Sequence, residues 1–269
     1  MSVTRGDFLK QLGKSLPGMV LGSGIAAAAH KVLGKMAAAS GAMDNSAPAP
    51  GADGSNPETE RETKLGFLRS GPTDGNRVAL TFDDGPNPGV TDRILDELKQ
   101  RKLHATFFMI GQRIAAAPDL ARRVLAEGHE IANHTFTHPN LTVLSDQQVE
   151  DEIQKTEDIM GEVLNHRARW FRPPYGALRR NQAALLAKHG LGIVLWSVDP
   201  GDWAQPGTDK IVEAILNGAK PGSIILCHDM HRQTADGVGA VCDELRERNL
   251  SIGRLSTLLQ PPSGPAFTK

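Results

Sequence analysis

The chain has only two cysteines, Cys227 and Cys242, among its 269 residues. That count excludes a disulfide framework, and a cysteine-based zinc site is not expected. Both fall in segments patterned as a strand and a helix, where a buried thiol behaves as a small hydrophobe. An excess of one charge is missing too: the formal net charge is -1. No long run of like charges occurs, so nothing favours nucleic acid or an anionic membrane surface as a partner. No protein partner is expected either, and no internal repeat is visible. The one N-terminal apolar stretch, Leu16 to Ala29, is too short and glycine-rich to span a bilayer.

What remains is ordinary globular material, with 39% hydrophobic and 23% charged residues, enough for one α/β-barrel-sized domain and a tail. Residues 1–39 have the order of an export signal: basic Arg5, Lys10 and Lys14, then the weak apolar stretch, then small-residue sites at Ala27-Ala28-Ala29 and Ala37-Ala38-Ala39. The opening Thr4-Arg5-Gly6-Asp7-Phe8-Leu9-Lys10 resembles a twin-arginine signal in which Gly6 replaces the second arginine. The expected destination is the periplasm, the cell envelope or the exterior. Residues 40–74 are expected to form a flexible linker. From Ser40 to Glu62 they are rich in Ala, Pro, Gly, Ser, Asp and Glu, with too little apolar surface to offset ordering entropy. A folded domain is expected over 75–260, with a tail at 261–269.

Within that domain, short apolar runs alternate with helical patterns. Strands are expected at Val78–Phe82, Ala105–Met109, His129–Asn133, Trp170–Arg172, Gly192–Val198, Ser223–Cys227 and Leu250–Ile252. Helices are expected near Thr91–Arg101, Pro118–Glu127, Asp146–Leu164, Asn181–His189, Thr208–Ala219 and Gly237–Arg248, with Gly128 and Gly190 as stops. Such alternation implies βα units and a parallel sheet, and seven of them imply a distorted (β/α) barrel.

The chemically useful residues follow the strands. Asp83 and Asp84 follow the first, His134 and His138 the third, Arg172 the fourth, Asp199 and Asp202 the fifth, His228 the sixth. In a parallel barrel these ends meet on one face. His134 and His138, four apart, are expected on one side of a helical turn. With a carboxylate from Asp83 or Asp84 they make a three-ligand site with a position left for water, as catalytic zinc requires. Two adjacent aspartates repel unless a cation or proton separates their roles. Arg172, in a proline-shaped loop, is expected to hold a carboxylate in a bidentate fork. A rigid loop there can also aim a backbone N–H at a developing oxyanion. A carboxylate near His228 would raise its pKa and make it a general acid. Trp203 and Trp196 could wall a pocket. His104 and His129 lack ligand spacing and read as structural.

Five motifs occur in order: Thr81-Phe82-Asp83-Asp84-Gly85-Pro86, His134-Thr135-Phe136-Thr137-His138, Arg172-Pro173-Pro174-Tyr175-Gly176, Asp199-Pro200-Gly201-Asp202-Trp203 and Leu226-Cys227-His228-Asp229. From about Val78 to Leu259 the chain resembles the NodB-homology polysaccharide deacetylases, carbohydrate esterase family four. The resemblance implies a distorted seven-stranded barrel. It also implies one divalent metal, zinc before cobalt or another ion, on Asp84, His134 and His138. Asp83 would be the general base, oriented by Arg172. The Tyr175 backbone N–H would serve the oxyanion, and His228, tuned by Asp202, would be the general acid. Leu226 and Trp203 would line an acetyl pocket. The implied substrate is an N-acetylglucosamine-containing polysaccharide or oligosaccharide, peptidoglycan or chitin-like, losing acetate. Cys227 stands where the family often has an aliphatic residue. Competing readings are a non-catalytic carbohydrate-binding relative, an amidase on a small amide or imide, and a two-His-one-carboxylate iron oxygenase. Intact Asp83 and His228 count against the first, and the second aspartate with a distal His228 counts against the oxygenase.

Overall fold

A strand buried on both faces reads as a near-continuous apolar run rather than an alternation, and residues 78–82 read that way. In the computed structural model, which describes residues 66–260, Arg77–Gly85 is a nine-residue strand buried at all but its first position. In chain order the strands are β1 (Phe67–Leu68), β2 (Arg77–Gly85), β3 (Thr106–Met109), β4 (Glu130–Asn133), β5 (Trp170–Phe171), β6 (Gly192–Val194), β7 (Ile224–His228) and β8 (Ser251–Gly253). Among the described residues they form one sheet in the order β1-β6-β5-β4-β3-β2-β7, with β8 also on β2. Every one of these pairings is parallel. The chain beyond β6 then reaches β7: Val198 bridges Ile225, and Leu226 N–H donates to the Val198 carbonyl at 2.9 Å. The sheet thus returns on itself as a distorted barrel.

The helices are α1 (Thr91–Gln100), α2 (Gly111–Ala116), α3 (Pro118–Ala126), α4 (Asp146–Leu164), α5 (Arg180–Lys188), α6 (Thr208–Gly218), α7 (Arg232–Glu247) and α8 (Leu255–Leu258). Alternation along β2 separates two cores. Val78, Leu80 and Phe82 join Ile94, Leu95 and Leu98 of α1 and Val238, Val241 and Leu245 of α7. Each such side chain contributes about 1.5–3 kcal/mol by leaving water. Ala79 belongs to a second cluster with Phe108, Ala132, Val194 and Ile224, closed by Leu255 and Leu258 of α8. Above Ala79 on that same face of β2 come Thr81 and Asp83, both buried. The polar end of this interior is where the strands finish.

All seven expected strands occur, and Gly128 and Gly190 take the positive φ of helix stops, +85° and +71°. α4 begins at a capping box between Ser145 and Gln148 and ends at Asn165 in the left-handed region, φ 49°. Three differences stand out. β1, with a Ser70–Ser223 bridge beside it, carries ordered structure into the range expected to be linker. Phe67 and Leu68 are half-buried, and Leu195 N–H donates to the Leu68 carbonyl at 2.8 Å. α7 starts five residues before the expected Gly237, because Thr234 and Ala235 are buried on its inner face. α2 and α8, six and four residues long, were not expected. The expected export signal at 1–39, the first part of the expected linker and the tail at 261–269 lie outside the described residues. Among the described residues no helix is long and apolar enough to cross a membrane.

Candidate active site

Two adjacent strand residues normally point to opposite faces. Asp83 and Asp84 escape this through an irregularity. The β2–β3 register shifts between Asp83 and Gly85, and Asp84 takes φ 74°. A bulge of this kind re-aims one side chain. Both carboxylates consequently face one imidazole: His134 Nε2 lies 3.8 Å from Asp83 Oδ2 and 3.4 Å from Asp84 Oδ1. Gly85 follows as a requirement of packing, since a Cβ there would sit 2.1 Å from Asp229 Oδ2.

His138 Nε2 lies 3.2 Å from the same Asp84 Oδ1. One ligand atom from each of Asp84, His134 and His138 falls within 4.8 Å of the others. The helical-turn explanation for the two histidines is wrong. Residues 134–138 form a loop, with Thr135 at φ 68° and His138 at φ 60°. Left-handed backbone at a non-glycine residue costs about 1–2 kcal/mol, so the loop is held by its surroundings.

The donor set fits a divalent cation. Asp84 Oδ1 is buried without a hydrogen-bond partner, an unmet need that a cation answers. The carboxylate–imidazole separations match the edge of a tetrahedron with bonds of about 2.0–2.1 Å, which is about 3.3 Å. His134 Nδ1 lies 2.7 Å from the Arg172 carbonyl, which can only accept, so Nδ1 carries a proton and Nε2 is the ring atom left to face Asp84 and a cation. Burial pushes the Asp84 carboxyl up, but His134 foremost, with His138 and His228, outweighs it and holds the group well below the usual carboxylate range.

Arg172 is fully buried. Its Nη1 donates to Asp83 Oδ1 at 2.6 Å and to Thr81 Oγ1 at 3.0 Å. Nη2 donates to the Leu195 carbonyl at 3.1 Å and Nε to the Val194 carbonyl at 3.3 Å, with Phe108 stacked at 4.0 Å. The expected bidentate fork is therefore replaced by one strong contact, because the remaining donors satisfy barrel carbonyls that would otherwise be orphaned. Asp83 keeps Oδ2 directed at the site.

Beside Asp83 on the neighbouring strand β7 lies His228, its register partner. Asp202, fully buried, accepts from His228 N at 2.7 Å, from Thr234 Oγ1 at 2.8 Å and from His228 Nδ1 at 2.7 Å. Burial lowers the imidazole pKa, but the hydrogen bond to Asp202 and the charges of Asp83, Asp202 and Asp84 raise it to about 9. Such a group carries a proton at neutral pH.

The remaining residues divide. Tyr175 has φ 61° and an exposed ring that meets the His138 ring edge-on at 4.9 Å. Trp203 follows Asp202 and is exposed, whereas Leu226 is buried on β7, on the same face as His228 by alternation. Trp196 is half-buried, packed on the interior cluster and over Arg172. Asp199 is exposed and caps Gly201 N–H. His129 accepts from Ala105 N–H and is pushed down to about 4, chiefly by burial, as a structural histidine would be. Both cysteines are free and buried.

Glu152 had no sequence signal, and Asp229 stood in the last motif without a role assigned to it. Glu152, on what reads as a surface helix, receives hydrogen bonds from the 134–138 loop. Asp229 is fully buried, accepts from Thr91 Oγ1 at 2.6 Å, and is pushed up to about 7, mainly by burial.

A family model for polysaccharide deacetylases matches residues 70–194. The chain is 44% identical over 191 residues to a chitooligosaccharide deacetylase of Bradyrhizobium sp., covering 70% of this chain and 86% of that protein. Among solved structures it resembles a peptidoglycan N-acetylglucosamine deacetylase, with TM-score 0.73 and 34% identity over 77% of this chain and 99% of that one. It also resembles a family-four pseudoenzyme from Bacillus anthracis, with TM-score 0.70 and 28% identity over 72% and 69%. Fold likeness thus extends to an inactive relative, so fold alone does not decide activity and the residues at the site do.

Proposed function

The chain belongs to the polysaccharide deacetylase family, the NodB-homology, family-four carbohydrate esterases, and from that premise we propose that it removes N-acetyl groups from N-acetylglucosamine-containing polysaccharide, peptidoglycan or chitin-like, releasing acetate. The observation that carries this is the three-ligand cluster of Asp84, His134 and His138, with an arginine-held carboxylate, Asp83, and its ladder partner, the carboxylate-held imidazole of His228, beside it. The family uses a divalent metal. Zinc suits two imidazoles and one carboxylate. Held by these three residues, the metal supplies Lewis acidity to the acetamide carbonyl and lowers the pKa of water at the site.

The protein's own residues do the rest. Asp83 accepts the proton of the attacking water through Oδ2, while Arg172 fixes Oδ1. The Tyr175 backbone N–H stabilises the oxyanion, and its left-handed φ sets the direction of that amide. His228 donates from Nε2 to the departing amine, since its Nδ1 is engaged with Asp202. Trp203 and Leu226 border the acetyl group. The competing readings lose ground here: a binding relative needs no buried arginine to hold a base, and an oxygenase needs no proton donor paired to Asp202.

Acetate release from acetylated chito-oligosaccharides and from peptidoglycan, by zinc-loaded protein, tests this. Turnover on at least one is expected; none on either removes the proposal. Export, carried by residues 1–39, belongs to the same proposal, and recovery of the protein solely from the cytoplasmic fraction of its source cells contradicts it.

The acid has its own test. A general acid must be protonated, so rate is lost as pH rises through the His228 pKa. That value stands at about 9 without a cation, and a cation nearby lowers it. Asp202→Asn removes the charge that supports it, so the alkaline limb of the kcat–pH profile moves to lower pH by about 1–3 pH units. An unmoved limb takes Asp202 out of this role.

A further inference from the structure

The loop between the two histidine ligands poses a question that the ligands themselves do not answer. Thr135 and His138 are both held in the left-handed region, in an order that no regular element imposes. What fixes it emerges from tracing each backbone N–H in turn. His134 N–H donates to the Met109 carbonyl at 3.1 Å. Thr135 N–H donates to Asn133 Oδ1 at 2.9 Å, and His138 N–H to Thr135 Oγ1 at 3.0 Å. The remaining two, Phe136 and Thr137, converge on a single atom, Glu152 Oε2, at 2.9 and 2.7 Å. The Thr137 hydroxyl donates to the other oxygen, Oε1, at 2.8 Å.

We propose that Glu152, on the first half of α4, is a positioning residue that shapes the His134–His138 loop for its metal. The inference rests on the metal reading of Asp84, His134 and His138 given above. Glu152 supplies three acceptor contacts across the midpoint of the loop, and both histidines hang from its ends. On the other side the loop carbonyls are taken by α2: Gly111 N–H donates to the Thr135 carbonyl and Gln112 N–H to the Phe136 carbonyl, each at 3.0 Å. Gly111 allows this approach, since a Cβ there would lie 2.4 Å from the Phe136 ring. The loop is thus clamped between two helices, with its N–H groups on a carboxylate and its carbonyls on amides. Cutting the carboxylate side frees two amides and a hydroxyl midway between the ligands. The two imidazoles then no longer arrive preset around Asp84, and partners of this kind act on the metal through its ligands.

Zinc affinity, read by competition with a chromophoric chelator, decides the matter alongside the thermal midpoint of the metal-free protein. Glu152→Ala lowers zinc affinity by about 10–100-fold. Glu152→Gln, which keeps one carbonyl oxygen for the amides, recovers part of that loss. Asp151→Ala, at an exposed site on the same helix bonded only to Gln147 among the contacts seen, leaves affinity unchanged. Wild-type affinity in Glu152→Ala overturns the proposal, as does an equal loss in Asp151→Ala, which would mark general damage to the helix. If Glu152→Ala does not fold, Glu152→Gln decides alone: reduced affinity supports the role and wild-type affinity overturns it. A wild-type protein that binds no zinc would instead sink the metal reading beneath.

Discussion

Replacing Asp83 with asparagine lowers kcat for acetate release by about a thousandfold, within the range a well-placed general base contributes, while one divalent ion per chain stays bound. The two halves of this result separate the adjacent aspartates. Asp84 presents its unpartnered Oδ1 to His134 and His138. Asp83 is tied to Arg172 and reaches His134 only at 3.8 Å. Asparagine is chosen over alanine for a physical reason. It keeps an oxygen for Arg172 Nη1, whereas alanine strands a fully buried guanidinium, an event that costs about 3–5 kcal/mol. Asp83→Ala is therefore expected to lose stability as well as turnover, and its kinetics alone would not isolate the base. Metal analysis and single-substrate kinetics on Asp83→Asn check the claim. Turnover near the wild-type level would remove Asp83 as the base, and loss of the ion would make it a ligand.

The second large effect follows removal of the ion. Dialysis against a strong chelator is expected to reduce acetate release to background, and added zinc to restore it. The same step should be visible without substrate. A ligand that binds only the folded state at a hundredfold its Kd stabilises by about 2.7 kcal/mol. For a domain of this size that raises Tm by about 5–10 °C. Replacing His138 with alanine removes the more accessible imidazole and one of three ligands, so its Tm should no longer respond to zinc. An activity that survives chelation, with no change of Tm on adding zinc, would contradict the metal centre.

Much of the site was legible because its chemistry sits at strand ends, and buried parallel strands announce themselves. Val78–Phe82 and Ser223–Cys227 are unbroken small or apolar runs, and polar residues directly after such runs must lie at the rim of the sheet. The five motifs then pointed to the proposed ligands and acid–base residues together. The rest depended on partners distant in sequence. Adjacent aspartates on one strand give no hint of the shift at Asp84 that turns both to one side. Four-residue spacing between His134 and His138 suggested a helical turn, but the actual loop owes its shape to Glu152 from α4 and to amides from α2. The Arg172 fork was read from guanidinium geometry alone, without the carbonyls of Val194 and Leu195 that compete for its donors. β1 went unseen because two residues flanked by Ser, Gly and Pro have no periodicity to read.

One ion shared by three side chains is the centre of the proposed site. Anomalous diffraction at the zinc edge from a zinc-soaked crystal tests it most directly. A single peak is predicted, about 2.0–2.2 Å from one oxygen of Asp84 and from Nε2 of both His134 and His138, with neither Asp83 nor His228 bonded to it. A peak elsewhere, or one bound by Asp83 in place of Asp84, would contradict it.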